Sequence, residues 1–515
     1  MKLSTKQPSS ASFEQQNLSK LSSSFNVKRV HNLSDEICSR IIRRQLPTLL
    51  KLEIRQAGDR MNAIRAGFID KNPYNSNQNS NIVRTLTAIQ NPSQYISGTD
   101  KNSIGSGKVF SLGQLSLQKI ETPNANVSSI DESRMAKPVL QQLPINLPST
   151  SVEHTVNVEA YLANRLPSGL MDVIRKSGAE FFLFNASDQD IATHYKGKGF
   201  DTCYKISSPT STRFYLLTNH HTKDNKVVVS GIGSYTRLEH QLLQFHFAGI
   251  DVGPKITSIG NIDELKSTSL MELKDQLNNI QADEKILYIG ARWKVMEAIA
   301  NQIFHLSGEN EGQGYRELNP HHHKIGPFIF DSAILNRNNK TIAVAALRMP
   351  NGELSYDAVK AFADCGFSKI VMCGAGGRIA GDAQLGDYLH LNRSYYKDSI
   401  IDLSTHQILM PNHFSHINTT ACSNITVNSP LIETQPWLSQ QQANQVGSVD
   451  VETAHIFRAI NDSPHPLKVI SGMFISDVVG QHPLEDKISG NGADKYIDDF
   501  VKVTWETLLQ IEGLQ

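Results

Sequence analysis

Residues 369–377 have the sequence KIVMCGAGG, in which an apolar run leads into a group of glycines. The apolar run predicts a buried β-strand, and the glycines after it would leave the backbone free to approach a ligand. The preceding segment, SYDAVKAFADCGF at 355–367, has apolar residues at helical spacing. A helix followed at once by a buried strand predicts one unit of an α/β domain.

The same alternation of strands and helices continues on both sides of this stretch. The other strand patterns are at 285–290, 328–335, 341–347, 406–410, 424–429 and 466–476, and the other helical patterns are at 294–306, 451–460 and 494–512. Alternation of this kind predicts a largely parallel sheet with helices on both faces. Because ligands in such sheets lie beyond the carboxyl ends of the strands, residues that follow strands are the first candidates for a site.

These patterns predict three parts of the chain. Residues 1–150 are rich in Ser, Asn, Gln and Pro and predict a poorly ordered or helical arm and linker. Residues 151–282 contain several short strand patterns and an amphipathic helical pattern at 236–250, and predict a small α/β accessory region. Residues 283–515 predict a larger α/β domain, with three αβα layers and a mixed, mostly parallel central sheet.

The composition excludes several classes of protein. Lys and Arg total 50, as do Asp and Glu, and this balance argues against a nucleic-acid-binding protein. The five cysteines have no CxxC spacing, which predicts a reducing compartment and neither a disulfide framework nor a zinc site. We expect no membrane span and no ordinary secretory signal. These features predict a cytoplasmic protein, or one delivered to another cell by a non-classical secretion route.

Two predicted strand ends are rich in glycine. In the sequence GARWK, a strand runs through Gly290 into a helix that begins near Lys294, and the N-terminal amides of a helix favour an anion. The other strand end is the run Gly374–Gly377. The structural alternative for both is a tight turn, because a glycine cluster alone is a weak signal.

Two further strand ends carry acids. In VDVE, Asp450 suits a helix cap, whereas Glu452 could accept hydrogen bonds from two adjacent hydroxyls or could stabilise the start of a helix. Asp477 follows the apolar segment VISGMFI and Ser476. Partial burial would raise the pKa of Asp477 and allow it to donate a proton; the alternative is a turn or cap residue.

The order and spacing of these motifs resemble the motif series of the nucleoside phosphorylase-I superfamily. The matching segments are GA at 290–291, GAGG at 374–377, GD at 386–387, NSPLIET at 428–434, VDVE at 449–452 and SD at 476–477. The family includes purine nucleoside and uridine phosphorylases and the methylthioadenosine/S-adenosylhomocysteine and AMP nucleosidases. The resemblance covers residues 283–512 and implies a phosphorylase-like domain that acts on an N-glycosidic bond.

The resemblance also implies a role for each matched residue. Glu452 would bind the ribose hydroxyls, and Asp477 would protonate or hydrogen-bond a purine ring nitrogen as the base leaves. Trp437 lies where the family often places an aromatic ring that stacks on the base. Further substrate contacts would come from Gly290, Gly374, Ala375, Gly376, Gly377, Val451 and Ser476.

The nucleophile is left open by departures from the family pattern. Phosphorylases typically carry an arginine in the strand before the glycine cluster, which here is Ile370-Val371-Met372. Lys294 or Arg378 could supply that positive charge. Because the strand arginine is the clearest absence, hydrolysis is favoured over phosphorolysis. We expect no cofactor, with inorganic phosphate as co-substrate if the protein is a phosphorylase.

The water-activating group of the nucleosidases is also displaced. Those enzymes carry a glutamate in the first loop, and the matching position here is Val295, with Glu297 the nearest candidate. Val451 stands where the family has a methionine under the ribose. Neither nucleophile apparatus is complete.

Residues 226–260 resemble residues 341–374 in pattern. Both predict a strand, a glycine turn, an amphipathic helix, a glycine and a second strand, and FFLF at 181–184 could be the strand before the first of them. One interpretation is a shortened internal copy within 155–262 that forms a pseudo-dimer with the second unit. The alternative is that any two βαβ segments look alike, in which case the chain could form a homo-oligomer.

Two functions follow as hypotheses. The first is an enzyme in which residues 283–512 cleave a purine-type nucleoside or nucleotide as a nucleosidase or phosphorylase. The second is a catalytically inactive nucleoside- or nucleotide-binding scaffold with an N-terminal protein-interaction region. The run His321–His323 follows a glycine-rich polar stretch, so we expect a solvated loop and no metal site.

Overall fold

A computed structural model describes residues 115, 117–120, 136–167, 169–208, 210, 212–306, 313–403, 407–409, 419–481, 484 and 487–511. The predictions for residues 1–114 lie outside this set, and the division of the chain into three parts stays a prediction. Within the described residues, no helix is both long enough and apolar enough to cross a membrane.

A seven-stranded sheet forms the earlier part of the described chain. In spatial order its strands are β1 Leu117–Lys119, β4 Thr202–Ile206, β5 Arg213–Thr218, β6 Asn225–Ser230, β3 Ala179–Leu183, β7 Ile256–Gly260 and β2 Lys137–Pro138. β3 is parallel to β6 and β7, whereas β4, β5 and β6 pair antiparallel. The helices here are α1 Val139–Gln142, α2 Val158–Ala163, α3 Leu170–Ser177, α4 Asp188–Gly197, α5 Tyr235–Phe247, α6 Val252–Lys255 and α7 Ile262–Asn278.

An eleven-stranded sheet forms the later part. Its strands are β8 Glu284–Gly290, β9 His321–Ile325, β10 Phe328–Arg337, β11 Lys340–Arg348, β12 Lys369–Arg378, β13 Tyr388–Tyr396, β14 Ser399–Asp402, β15 Gln407–Ile408, β16 Thr419–Thr426, β17 Ser448–Asp450 and β18 Lys468–Val478. Its helices are α8 Arg292–Phe304, α9 Gly314–Leu318, α10 Leu354–Asp364, α11 Gln435–Ala443, α12 Thr453–Asn461 and α13 Asp494–Ile511, with 3-10 helices at Pro430–Ile432 and Gly490–Ala493.

Five strands of the larger sheet close into a small barrel. β12 pairs with β18 and with β17, β17 pairs with β16, β16 with β13, and β13 with β18. β8, β11, β10 and β9 extend from β12 as the open part of the sheet. The sheet is mixed, as predicted, but its parallel and antiparallel pairings are nearly balanced, and the sequence did not predict its closure.

Alternate residues of β8 face two apolar cores, one on each face of the sheet. Leu287 and Ile289 pack with apolar residues of α7, α10 and α12. Ile286 and Tyr288 pack with apolar residues of α8 and α13. Because successive side chains of a strand point to opposite faces, this strand is buried by helices on both sides, which explains its continuous apolar run.

Three details differ from the sequence prediction. The glycine run and Asp477 lie within β12 and β18 and not beyond their ends, because these two strands pair with each other as far as Arg378 and Val478. Strand β13 was not predicted, since exposed Asn392 and Arg393 interrupt its apolar pattern. The run His321–His323 belongs to strand β9, which pairs antiparallel with β10, and not to a loop.

Gly290 provides a test of the packing between β8 and β12. A Cβ atom at this position would overlap the carbonyl oxygen of Cys373, and the backbone φ is +153°. We predict that Gly290→Ala lowers the free energy of unfolding by about 3 kcal/mol, the upper range for overpacking. The measurement is urea denaturation of the full chain.

Gly197→Ala is the matched control, because a Cβ atom there would have no neighbour within 4 Å. If Gly290→Ala were as stable as Gly197→Ala, the close approach of β8 to β12 would be wrong.

Candidate functional site

The glycine run of β12 lies where this strand pairs with β17 on one side and β18 on the other. Gly377 is the Cα partner of both Val449 and Asp477. A Cβ atom on Gly376 would lie 2.9 Å from the carbonyl oxygen of Val449, and one on Gly377 would lie 2.9 Å from Oδ2 of Asp477. Real Cβ atoms do not approach so closely. At Gly376 the contact is with the backbone of β17, so a side chain there would push the strands apart, whereas at Gly377 the side chain of Asp477 would have to move.

Gly374 and Ala375, at the beginning of the run, are less constrained. A Cβ atom on Gly374 would have only ordinary contacts, the nearest at 3.4 Å, and Ala375 is exposed. Gly374 itself is buried, so the exposed part of the run is Ala375.

The side chain of Asp477 is buried beside Gly377. Asp477 is 5% exposed, and the hydroxyl of Ser476 donates a 2.6 Å hydrogen bond to its Oδ1. The same hydroxyl lies 3.3 Å from the carbonyl oxygen of Gly376. Asp477 is thus a buried carboxyl group whose position depends on the absence of a side chain at Gly377.

Glu452 occupies the N-cap position of α12 and is partly buried. Burial raises the pKa of Glu452 to about 8, and the negative charge of Asp450 adds to this effect. The carboxyl group accepts hydrogen bonds from the backbone N–H groups of Gly352 and Val451, which favour its charged form. A carboxylate has about four acceptor positions, so about two remain for other donors.

Strand β12 contacts the segments that carry both acids. Asp477 is opposite Gly377 at the end of the glycine run. The next residue after Glu452 is Thr453, whose hydroxyl lies 4.0 Å from Sδ of Met372, just before the run begins. Asp477 therefore lies beside the glycine run, and the first residue of α12 lies against the same strand.

Asp450 holds the start of α12 against the barrel. Its carboxylate accepts hydrogen bonds of 2.9 Å from both Asn424 Nδ2 and Thr426 Oγ1, and one of 3.0 Å from the backbone N–H of Thr453. Asp450 was predicted to cap the helix, and it does accept the N–H of the first helical residue, although Glu452 occupies the N-cap position. The network fixes the backbone on both sides of Glu452.

Glu433 is a buried acid to which the sequence analysis gave no role. It is 6% exposed, burial raises its pKa well above the ordinary value, and the negative charge of Asp477 raises that pKa further. The two carboxyl groups are therefore close enough to influence each other. The only sequence signal was its place in the segment NSPLIET, directly after the apolar residues Leu431 and Ile432.

Lys294 and Glu297 lie in a separate cluster of charges. Lys294 Nζ forms ion pairs of 3.0 Å with Glu297 and 2.9 Å with Asp498 of α13. Burial raises the pKa of Asp494, in the same cluster, to about 6. Val295 is fully buried in the core between α8 and α13. Lys294 and Glu297, the candidates for handling the nucleophile, are thus held in ion pairs at the contact between α8 and α13.

A second buried ion pair was also missed in the sequence. Arg292 pairs with Asp331, which is fully buried and also accepts a 2.9 Å hydrogen bond from the hydroxyl of Tyr315. His322 Nδ1 lies 3.0 Å from Asp331. The described residues contain no group of three or more His, Cys, Asp or Glu side chains placed to hold a metal ion.

The remaining predicted residues surround β17. Trp437 and Val451 are partly buried against the apolar cluster that contains Val449. Arg378 donates a 2.5 Å hydrogen bond to the carbonyl oxygen of Gly381, so its guanidinium is engaged locally.

The two principal cavities in the described chain lie elsewhere. Each has a volume of about 340 Å³; one is lined by residues that include Lys119 and Asp188, and the other by residues that include Leu335 and Trp505. Neither cavity includes Glu452, Asp477 or the glycine run.

Comparisons with known proteins give a fold-level similarity only. No protein-family model matches the chain, and no curated protein is significantly similar to it in sequence. Among solved structures, it is similar to the futalosine hydrolase of Helicobacter pylori strain 26695, with 14% identity, a TM-score of 0.30 and coverage of 45% of this chain and 97% of the other.

Two nucleosidase structures give the same result. For Helicobacter pylori MTAN the identity is 14% and the TM-score 0.31, with 45% and 99% of the two chains covered. For S-adenosylhomocysteine nucleosidase from Streptococcus pyogenes in complex with 5-methylthiotubericidin these values are 16%, 0.31, 45% and 98%. The chain thus has a distant structural resemblance to nucleosidases, and similarity at this level assigns neither an activity nor a substrate.

The pKa of Glu452 predicts a pH dependence of stability. Its folded-state pKa of about 8 lies above the ordinary value of 4.5, so the folded state binds the proton more tightly than the unfolded state. Stability from this group is present below about pH 4.5 and is lost as the pH rises to about 8. We predict that Glu452→Gln makes the free energy of unfolding fall less steeply between these pH values.

The measurement is urea denaturation at a series of pH values. Glu272→Gln is the control, because Glu272 is an exposed acid on α7. An unchanged pH dependence in Glu452→Gln would contradict the burial of this carboxyl group.

Proposed function

We propose that residues 283–512 bind a purine-type nucleoside or nucleotide and cleave its N-glycosidic bond, with water as the nucleophile. The observation that supports the proposal is that Asp477 pairs opposite Gly377 on β12, while Thr453, the residue after Glu452, contacts Met372 of the same strand. The sequence resemblance to the nucleoside phosphorylase-I superfamily supplies the roles, and the geometry of the strands is consistent with them.

The reaction needs a proton for the base and a hold on the sugar. When the bond between C1′ of the sugar and the ring nitrogen breaks, its electron pair goes to the base, which takes a proton. In our proposal the proton reaches the base through the carboxyl group of Asp477, which takes it from Glu433 beside it, the group whose pKa is raised. A positioned acid contributes roughly 10²–10⁴-fold to the rate.

Glu452 is suited to hold the ribose. Its carboxyl group already accepts two backbone N–H bonds, which fix its orientation, and its remaining acceptor positions can take the two ribose hydroxyls. Above about pH 8, where Glu452 is ionised, its negative charge would also favour the positive charge that develops on the sugar. Water then forms a bond to C1′ and releases its proton to a carboxylate of the site.

Hydrolysis is preferred over phosphorolysis because Lys294 is paired with Glu297 and Asp498, and a phosphate ion would have to displace one of these contacts. Arg378 donates one hydrogen bond to Gly381 and keeps further N–H donors.

A nucleoside-binding scaffold without catalysis is the second candidate. The observation that favours it is the same engagement of Glu297, which removes the glutamate nearest to the water-activating position. In this case the chain would bind nucleosides but release no base.

We predict that the full chain releases free base from a purine nucleoside in the absence of phosphate. Asp477→Asn should lower kcat at least about 10²-fold, because the proton donor is lost. Glu452→Gln should lower kcat/KM, because an amide has one acceptor oxygen for the ribose hydroxyls where the carboxyl group has two. The measurement is chromatography of the products from a panel of nucleosides, with and without phosphate.

Asp172→Asn is the control, since Asp172 is an exposed residue of α3 that pairs with Arg175. Unchanged turnover in either site variant would contradict the assigned roles. Calorimetric binding of a nucleoside without base release would favour the scaffold.

A further inference from the structure

The two sheets share one arrangement of strands. In the smaller sheet the order is β4-β5-β6-β3-β7, and in the larger sheet β9-β10-β11-β8-β12. The strand directions also correspond. β3 is parallel to β6 and β7, and β8 is parallel to β11 and β12. The pairs β6–β5 and β5–β4 are antiparallel, as are the pairs β11–β10 and β10–β9. Chance similarity between two βαβ segments would not extend to two further strands in the same positions.

The helices correspond in the same way. α4 follows β3 as α8 follows β8, and α5 links β6 to β7 as α10 links β11 to β12. Each of these linking helices is preceded by a glycine, Gly233 before α5 and Gly352 before α10. The smaller sheet has no counterpart of the barrel strands that carry Glu452 and Asp477.

The two equivalent glycine turns contact each other. A Cβ atom on Gly233 would lie 3.3 Å from the side chain of Leu354, at the start of α10. A Cβ atom on Gly352 would lie 2.6 Å from the side chain of Thr236, at the start of α5. Reciprocal contact between equivalent surfaces is the property of a two-fold interface.

A hydrogen bond joins the two helix starts as well. The backbone N–H of Tyr235, the first residue of α5, donates a 2.9 Å bond to the carboxylate of Glu353, which precedes α10. The second unit therefore satisfies one of the free N–H groups at the N-terminus of a helix of the first unit.

Helix α5 continues from this contact to the candidate site. Asn428 Nδ2 donates a 2.7 Å hydrogen bond to Glu239, and His240 Nδ1 lies 2.7 Å from the hydroxyl of Ser429. Asn428 and Ser429 begin the segment 428–433, which ends in Glu433 and which we call the 428–433 loop. Leu431 of this loop is fully buried in a cluster with Leu243 of α5.

We propose that the two α/β units are copies of one fold packed about a local two-fold axis, and that the first copy positions the 428–433 loop of the second. Glu239 and His240 are then positioning residues, which act on the site through the loop that carries Glu433. This role rests on the proposed function, but the structural contact can be tested without any activity.

The test is hydrogen–deuterium exchange of the full chain. Glu239→Ala removes the acceptor of Asn428, so backbone exchange of residues 428–435 should rise by about tenfold, the effect of losing a hydrogen bond to a charged group. Glu239→Gln keeps a carbonyl acceptor and should restore slow exchange. Glu272→Ala, an exposed acid on α7, is the matched control.

A second variant tests the two-fold contact. Gly233→Val should raise exchange at residues 353–356 and 428–435 together, because both segments contact α5. Gly197→Val is its control, since that position has open space. Unchanged exchange of 428–435 in Glu239→Ala, or of both segments in Gly233→Val, would overturn the proposal.

Kinetics separate this proposal from the proposed function. If the chain releases base, Glu239→Ala should change kcat through the position of Glu433, and Glu239→Gln should recover it. If the wild-type chain releases no base, the proposed function fails, whereas the exchange results still decide whether the first copy holds the loop.

Discussion

The close approach of β12, β17 and β18 at Gly376 and Gly377 is the constraint on which the barrel and the candidate site depend. Side chains at these positions would collide with Val449 and with the carboxyl group of Asp477. Because Gly376 has no side chain, β12 can approach the backbone of β17 while it pairs with β18, and the barrel can close. The same absence of side chains leaves room for a buried acid beside the strand. The glycines therefore contribute both to the closure of the barrel and to the space for the buried carboxyl group of Asp477.

Burial of polar groups around that point has an energetic cost that hydrogen bonds offset. Asp450 is almost fully buried but accepts bonds from Asn424, Thr426 and Thr453, so little of its hydrogen-bonding capacity is left unused. The network fixes the start of α12 and hence the backbone of Glu452. Glu433 has fewer compensating contacts, and burial raises its pKa, which favours its neutral form.

The sequence predicted the elements better than their assembly. Strands such as β8 and helices such as α10 were predicted because their apolar residues recur at the spacing of a buried strand or an amphipathic helix. Closure of the barrel was not predicted, because it depends on pairing between strands that are distant in the sequence. Glu433 and Asp331 were missed for a related reason: nothing in the local sequence shows that an acid is buried. The glycine run and the two acids were found because each follows a recognisable strand, although both strands continue further than the apolar pattern indicated.

The most direct test of the central claim is a crystal structure of the full chain with a non-hydrolysable purine nucleoside analogue. The account predicts that the ring nitrogens of the base face Asp477, that the ribose hydroxyls hydrogen-bond to Glu452, and that the sugar lies along the glycine run between them. An analogue bound at another place, or Asp477 and Glu452 facing opposite sides of the barrel wall with no ligand between them, would contradict it.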